Sequence, residues 1–398
     1  MRRRLKLVAT LGVLGLLGAL VVAPMEAGAA IKTYNVQVGA PLYRQAAPAP
    51  ADGMKFYAPP LKVHKGDSIK FQLRGFHTAT LIPANVGVFD WVTDNAGGVN
   101  KPWSLLSRDP DDGKGHVKFN NAAIFPSQQN CGTADDPCAY SGADVVNSGA
   151  FVASPNFVVK VDADPGDFFW AVCLVHPRMK LKVEVVPDGD ATTKQSAIDA
   201  YKSSAIKSQV RRAKSLHNNL LGYDKTTRTG SGTVVHHAYA GYDGKGFSLL
   251  GFYPKRAEIR KGQKVHWHWG KLRYEDHTVT FPAKKARALA QRAGAPVCDP
   301  DGDGGPGPDN PPDTNQPPFC NNPNQLEFDI PARFAKKRGD GRFKRFDFSN
   351  SGVEGAGVHT GQDPYTLKFT RTAAKKGFGY ICLIHPFMRA RVVVKPRR

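Results

Sequence analysis

Two stretches of the chain set a thiol, an imidazole and a thioether at matching intervals: Cys173, His176 and Met179, then Cys382, His385 and Met388. Well upstream of each stands a His-Thr pair, His77-Thr78 and His277-Thr278. Thiolate and thioether suit a soft metal ion, and imidazole suits softer and harder ions alike. A trigonal set of two His and one Cys with a long axial Met therefore serves Cu(I) and Cu(II) with little rearrangement. The two expected sets are His77, Cys173, His176 and Met179, and His277, Cys382, His385 and Met388. The chemistry open to such a set is the uptake and release of single electrons.

For these groups to meet, a strand must end at the Cys, and a tight turn must bring the His and Met back to the same ion. Pro177 and Pro386 directly follow the His and stiffen that turn by fixing φ. The remaining His must come from a distant strand, so the fold itself has to close the site. The surroundings support this. FFWAVCLVHPRMKLKVEVV around Cys173 parallels FGYICLIHPFMRARVVV around Cys382, and residues 65–83 parallel 261–282. Asn147-Ser148-Gly149 and Asn350-Ser351-Gly352 add a third match in the same order, which marks a duplication. Val265, Trp267 and Trp269 share one face of a period-two pattern, with His266 and His268 on the other. Forty Gly and thirty Pro punctuate short strands of this kind. The expected fold is all-β: two β-sandwiches over 30–188 and 230–398. Between them lies a basic segment, 189–229. Ile198, Tyr201, Ala205, Val210, Ala213 and Leu216 recur there at intervals compatible with an amphipathic helix, the alternative being a solvated linker.

The repeated Cys-x-x-His-Pro-x-Met resembles the short ligand loop of the cupredoxin family, in particular its plastocyanin- and amicyanin-like members. The resemblance covers both repeats but neither the linker nor the long insertions. It implies Greek-key sandwiches, each holding one blue (type 1) copper ion, and outer-sphere electron transfer. It also implies that His176 and His385 reach the surface as the electron's exit, where Arg178 and Phe387 would offer two different docking faces. In one respect the chain departs from the family. Thr78 and Thr278 follow the first His, where many members carry an Asn that holds the ligand loop.

Related two-domain proteins include enzymes, which place His beside the blue-copper Cys. Here the flanking residues are Val172 and Leu174, and Ile381 and Leu383. His266 and His268 are expected to face solvent, so the expectation is an electron carrier and not an enzyme. Two rivals stand beside it. One is a copper-dependent oxidase or reductase with an extra interdomain copper held by His236, His237, His266 and His268. The other is a copper-sequestering surface protein.

The first residues carry Arg2, Arg3, Arg4 and Lys6, then a nearly unbroken apolar run from Leu7 to Val22 and an Ala27-Gly28-Ala29 cleavage pattern. This reads as a secretory leader over 1–29, with an uncleaved anchor as the alternative. The protein is then exported: extracellular, cell-surface or periplasmic. Losing those residues removes four positive charges and one negative from a net +21. The mature chain stays strongly basic and is drawn to an acidic redox partner or to anionic polymer or lipid. Nucleic acid is not expected outside the cell. Export also permits disulfides, and Cys131 with Cys138 and Cys298 with Cys320 form two local couples. Asp299, Asp301 and Asp303 echo the start of a calcium loop without its closing Glu. The alternative for them is an acidic Gly/Pro loop.

Overall fold

A computed structural model describes residues 30–42, 50–97, 100–108, 117–128, 130–150, 155–270, 274–291, 296–298, 326–330, 337, 339, 341–344, 347–355 and 364–397. The leader-like segment, Cys320 and the acidic stretch Asp299, Asp301 and Asp303 lie outside the described residues, and with them the Cys298–Cys320 couple and the calcium loop. The disulfide Cys131–Cys138 is formed.

Alternation builds the strands. Ser68–Leu73 buries Ile69, Phe71 and Leu73 on one face, and its counterpart Lys264–His268 buries Val265 and Trp267. A side chain turned to either face at every second residue lets each strand cover one core. The first repeat has a five-stranded sheet in the order Leu61–Val63, Lys180–Val185, Phe168–Val172, Thr80–Leu81, Val146–Asn147. In the second the order is Arg256–Arg260, Arg389–Lys395, Ala373–Ile381, Thr280–Phe281, Ser349–Asn350. The two sheets correspond strand for strand, so the duplication extends to topology.

The facing layers of both sandwiches belong to one continuous sheet. In the first repeat Thr33–Ala40 lies parallel to Ser68–Leu73, and in the second Val234–Gly244 lies parallel to Lys264–His268. Ala51–Phe56 then pairs antiparallel with Phe247–Tyr253, Phe247 opposite Gly53 and Leu249 opposite Ala51. Each of these strands would otherwise expose a row of unpaired backbone groups at a sheet edge. The result is two cupredoxin-type Greek-key sandwiches fused edge to edge.

A helix, Gln195–Leu221, covers this seam. Its Ala213 and Leu220 pack with Tyr57, Phe247, Leu249 and Tyr253, while Ile198 enters the first core. Burying such large apolar side chains contributes about 1.5–3 kcal/mol each. Two buried polar groups fix the helix in place. Gln209 accepts a hydrogen bond from the Tyr57 hydroxyl at 2.6 Å and donates to the Gly246 carbonyl, and His217 pairs with the Tyr253 hydroxyl at 2.8 Å.

Among the described residues, the long insertions carry regular elements. They hold the helices Val88–Asn95 and Ala283–Ala290. In the first, Leu106–Arg108 pairs with Val117–Phe119, and Val117–Phe119 in turn pairs with Leu326–Ile330 of the second, Val117 opposite Ile330. Those backbone hydrogen bonds cross between repeats, which no local pattern announces.

Replacing Gln209 by Leu should leave the buried Tyr57 hydroxyl without its acceptor and lower stability by about 1–3 kcal/mol. Denaturant unfolding of the full chain checks this.

Candidate metal centres

The strand Phe168–Val172 runs straight into Cys173, and a turn closed by the Met179 N–H on the His176 carbonyl (2.9 Å) returns the chain. The Cys173 N–H then donates to the Met179 carbonyl at 3.2 Å. The second copy repeats both bonds, with Met388 to His385 at 2.8 Å and Cys382 to Met388 at 3.2 Å. Cys173 Sγ stands 3.8 Å from His77 Nδ1 and 3.7 Å from His176 Nδ1, and the two nitrogens are 2.9 Å apart. In the second copy Cys382 Sγ lies 4.0 Å from His277 Nδ1 and 3.8 Å from His385 Nδ1. Donors bonded to one ion at about 2.0–2.3 Å stand at such separations from one another. Met179 and Met388 are buried in the same two cores as their Cys.

The sulfurs are prepared as thiolates. Thr78 N–H points at Cys173 Sγ and Thr278 N–H at Cys382 Sγ, each at 3.3 Å, and His385 N–H adds a contact at 3.4 Å. Burial pushes both thiols up. Hydrogen bonds from the paired imidazoles and their charge outweigh it, bringing Cys382 down to about 5 and Cys173 well below the ordinary thiol range. Neither Cys has a disulfide partner. Buried thiolate and imidazole donors around one point suit a soft-to-borderline transition metal, so copper fits these residues.

Thr78 and Thr278 do the holding that the resemblance assigns to Asn. The Thr78 hydroxyl accepts from Leu174 N–H and the Thr278 hydroxyl from Leu383 N–H, each at 2.8 Å, which ties the first His to the ligand turn. Behind them Thr80 donates to Asn147 and Thr280 to Asn350, each at 2.8 Å. Ser148 and Ser351 accept from Ala79 N–H and Val279 N–H. The repeated Asn-Ser-Gly is therefore a brace for the strand that carries the first ligand. Two glycines, missed in the sequence, complete the pocket. A Cβ on Gly39 would lie 2.2 Å from His77 Nε2, and one on Gly241 2.1 Å from His277 Nε2. Both have φ of +72°. The only sequence signal is that Gly39 and Gly241 occupy matching places in the repeats.

His176 is buried and His385 only partly exposed, so the two rings do not stand open at the surface as the resemblance implied. Their outer nitrogens turn inward to one carboxylate: Glu275 Oε1 is 3.0 Å from His176 Nε2, and Oε2 is 3.7 Å from His385 Nε2. Edge-to-edge fusion points the two ligand ends at each other, so the exit sides face a shared interior. Burial works against the charged carboxylate, but His176, then His385 and His277, hold Glu275 below the usual range. Burial also works against charge on His385, yet its bond to Cys382 and the charges of Glu275 and Asp52 raise it to about 9. Glu275 stands where the first repeat has Gly75, and that difference between the copies was its signal. A cavity of about 860 Å³ adjoins the carboxylate, lined by Phe76, Val175, Leu383, Ile384 and Phe387. Phe387 is 56% exposed and sits edge-on to His385, matching its expected place beside that ring.

A third group of donors also forms. His237, His266 and His268 bring one ring nitrogen each within 4.8 Å of the others. His266 and His268 share the face opposite Trp267, as the alternation implies. They are half-buried beside His237, however, instead of simply facing solvent. His236 belongs to the other face of its strand and pairs with Gln263 at 3.0 Å. The cluster lies within the second sandwich rather than between the two. Burial first, then the neighbouring imidazoles and Lys264, hold His266 down at about 4, and burial with His268 and Lys225 lowers His237.

No family model matches the chain, and no curated protein matches its sequence. Among solved structures it is similar to the copper-containing nitrite reductase of Thermus scotoductus SA-01 at 13% identity, over 93% of this chain and 100% of that one, with a TM-score of 0.23. A blue copper oxidase of Nitrosomonas europaea matches at 10% identity over 63% of this chain and 64% of its own, TM-score 0.18. A multicopper oxidase matches at 10% over 87% and 89%, TM-score 0.16. These neighbours are reductases and oxidases by name, against the expectation that the chain is not an enzyme. That expectation is corrected by the structure as well: it rested in part on His266 and His268 facing solvent, and they are clustered with His237. What stands is a cupredoxin-type fold with candidate copper-binding groups.

Gly39→Ala should push His77 out of its place, with left-handed backbone strain of about 1–2 kcal/mol added. Copper analysis of the loaded variant should read one equivalent fewer than the parent, the Cys382 centre being untouched.

Proposed function

We propose that this is an exported copper protein that moves single electrons through two type 1 centres facing one another across Glu275. The observation that carries this reading is the convergence, twice, of two imidazole nitrogens on a buried cysteine sulfur. His77, Cys173 and His176 would hold one ion and His277, Cys382 and His385 the other, with Met179 and Met388 as axial donors. Copper bound in such a set supplies reversible one-electron chemistry. The protein's own part is to keep the donors still. The Thr–Asn–Ser brace holds the first His, the closed turn holds the second, and close-packed cores resist relaxation.

Glu275 gives the pair its character. Its Oε1 accepts a hydrogen bond from His176 Nε2 at 3.0 Å and its Oε2 stands 3.7 Å from His385 Nε2, so one carboxylate faces both rings. Orienting partners of this kind set ring geometry and ligand basicity. The leader over 1–29 would take the chain out of the cell. Its basic surface would attract an acidic redox partner, or anionic polymer or lipid, at the cell exterior. Phe387 would offer such a partner an apolar contact beside His385.

The copper-loaded chain should show an intense thiolate-to-copper band in visible light. Cys173→Ser or Cys382→Ser should weaken it and the double variant should lack it; full colour in the double variant would overturn the ligand assignment. Glu275→Gln removes a negative charge that favours the oxidised form at both centres. Redox titration should then find both potentials raised by tens of millivolts, about 59 mV being tenfold for one electron. A shift at one centre only would mean that the carboxylate serves one site.

A further inference from the structure

The histidine cluster of the second sandwich is independent of both Cys-containing centres. It arises from register. Val234–Gly244 and Lys264–His268 are parallel neighbours, with His237 opposite His266 and Tyr239 opposite His268. Alternation then puts His237, His266 and His268 on one face, away from Trp267 in the core. His237 Nδ1 and His268 Nε2 already stand 2.8 Å apart, and the rings of these two residues stack at 5.1 Å with 14° between planes. His266 closes the group, its ring centroid 5.5 Å from that of His237.

The far side of His237 is tied down. Its Nε2 bonds the Thr227 hydroxyl at 2.8 Å, on the short strand Thr226–Arg228 that pairs alongside. A ring held by one nitrogen to a hydroxyl, with the other aimed at further imidazoles, is how ligating histidines are usually oriented. The group holds no carboxylate, which disfavours the hard cations calcium and magnesium. Imidazole nitrogen instead suits the later divalent transition metals, bound at about 2.0–2.1 Å for zinc. The three residues are half-buried, and one ring nitrogen of each lies within 4.8 Å of the others.

We propose that His237, His266 and His268 form a third metal site, which binds one divalent late transition ion, Zn2+ or Cu2+, through three imidazole nitrogens. It differs from the other two centres in having no thiolate, so a bound Cu2+ would be non-blue.

The test uses the full chain with its two Cys-containing centres already filled with copper, equilibrated with Zn2+ and analysed for metal. One further ion should bind. Removing even an orienting partner of a ligand weakens metal binding about 10–100-fold. His266→Ala and His268→Ala should therefore weaken the zinc at least tenfold, while His236→Ala leaves it unchanged. The visible band, retained in all three variants, reports that the fold is intact. With Cu2+ in place of Zn2+, electron paramagnetic resonance should show an additional non-blue signal with nitrogen couplings, lost in the same two variants. No additional zinc on the parent chain, zinc retained by both variants, or equal loss in His236→Ala would each overturn the proposal. None of these outcomes bears on the thiolate centres.

Discussion

The pairing of Ala51–Phe56 with Phe247–Tyr253 is the contact on which the rest depends. Each sandwich could bury its own core without it. Edge-to-edge pairing does what neither copy could do alone: it turns the ligand-bearing ends toward one another. The Met54 N–H on the Gly246 carbonyl and the Leu250 N–H on the Pro50 carbonyl extend the same seam. Gln209 and His217 clamp the helix above it. Glu275 can then touch a histidine from each repeat, which a chain of two loosely tethered sandwiches could not arrange.

Within each copy, the constraint on the first ligand is a hydrogen-bond network that contains no metal donor. Thr78, Thr80, Asn147 and Ser148, with their counterparts Thr278, Thr280, Asn350 and Ser351, are all buried. An unpaired polar group at such a depth costs about 1–3 kcal/mol, so each member holds its partner's rotamer in place. The network thus holds the first donor of each candidate centre in place. The same low-dielectric surroundings make every local charge count, and Glu275 is the charge shared by both centres.

How far the sequence could be read depended on how far apart the interacting residues were. The Cys-x-x-His-x-x-Met turns are local, and the matching His-Thr strands were legible because the duplication showed them twice. The helix Gln195–Leu221 was half legible: its apolar spacing was visible, but Gln209 and His217 gave no sign that they would be buried. Gly39 and Gly241 were invisible as pocket walls, since only the packed histidine ring shows why a side chain is excluded there. His266 and His268 were placed on the right face, yet their neighbour His237 comes from another strand. Its arrival beside them depends on a parallel register that spacing along the chain does not reveal.

By itself, then, the sequence determined the donor types, their order, the duplication and the β character, because each follows from residue chemistry or from short periodicity. Only the tertiary structure decided that the second histidines turn inward to Glu275, that the insertions pair across repeats, and that three histidines meet on the continuous sheet, in its second-repeat half. Those outcomes are set by register and by edge pairing between segments far apart in the chain, and neither leaves a local mark on the residues it joins.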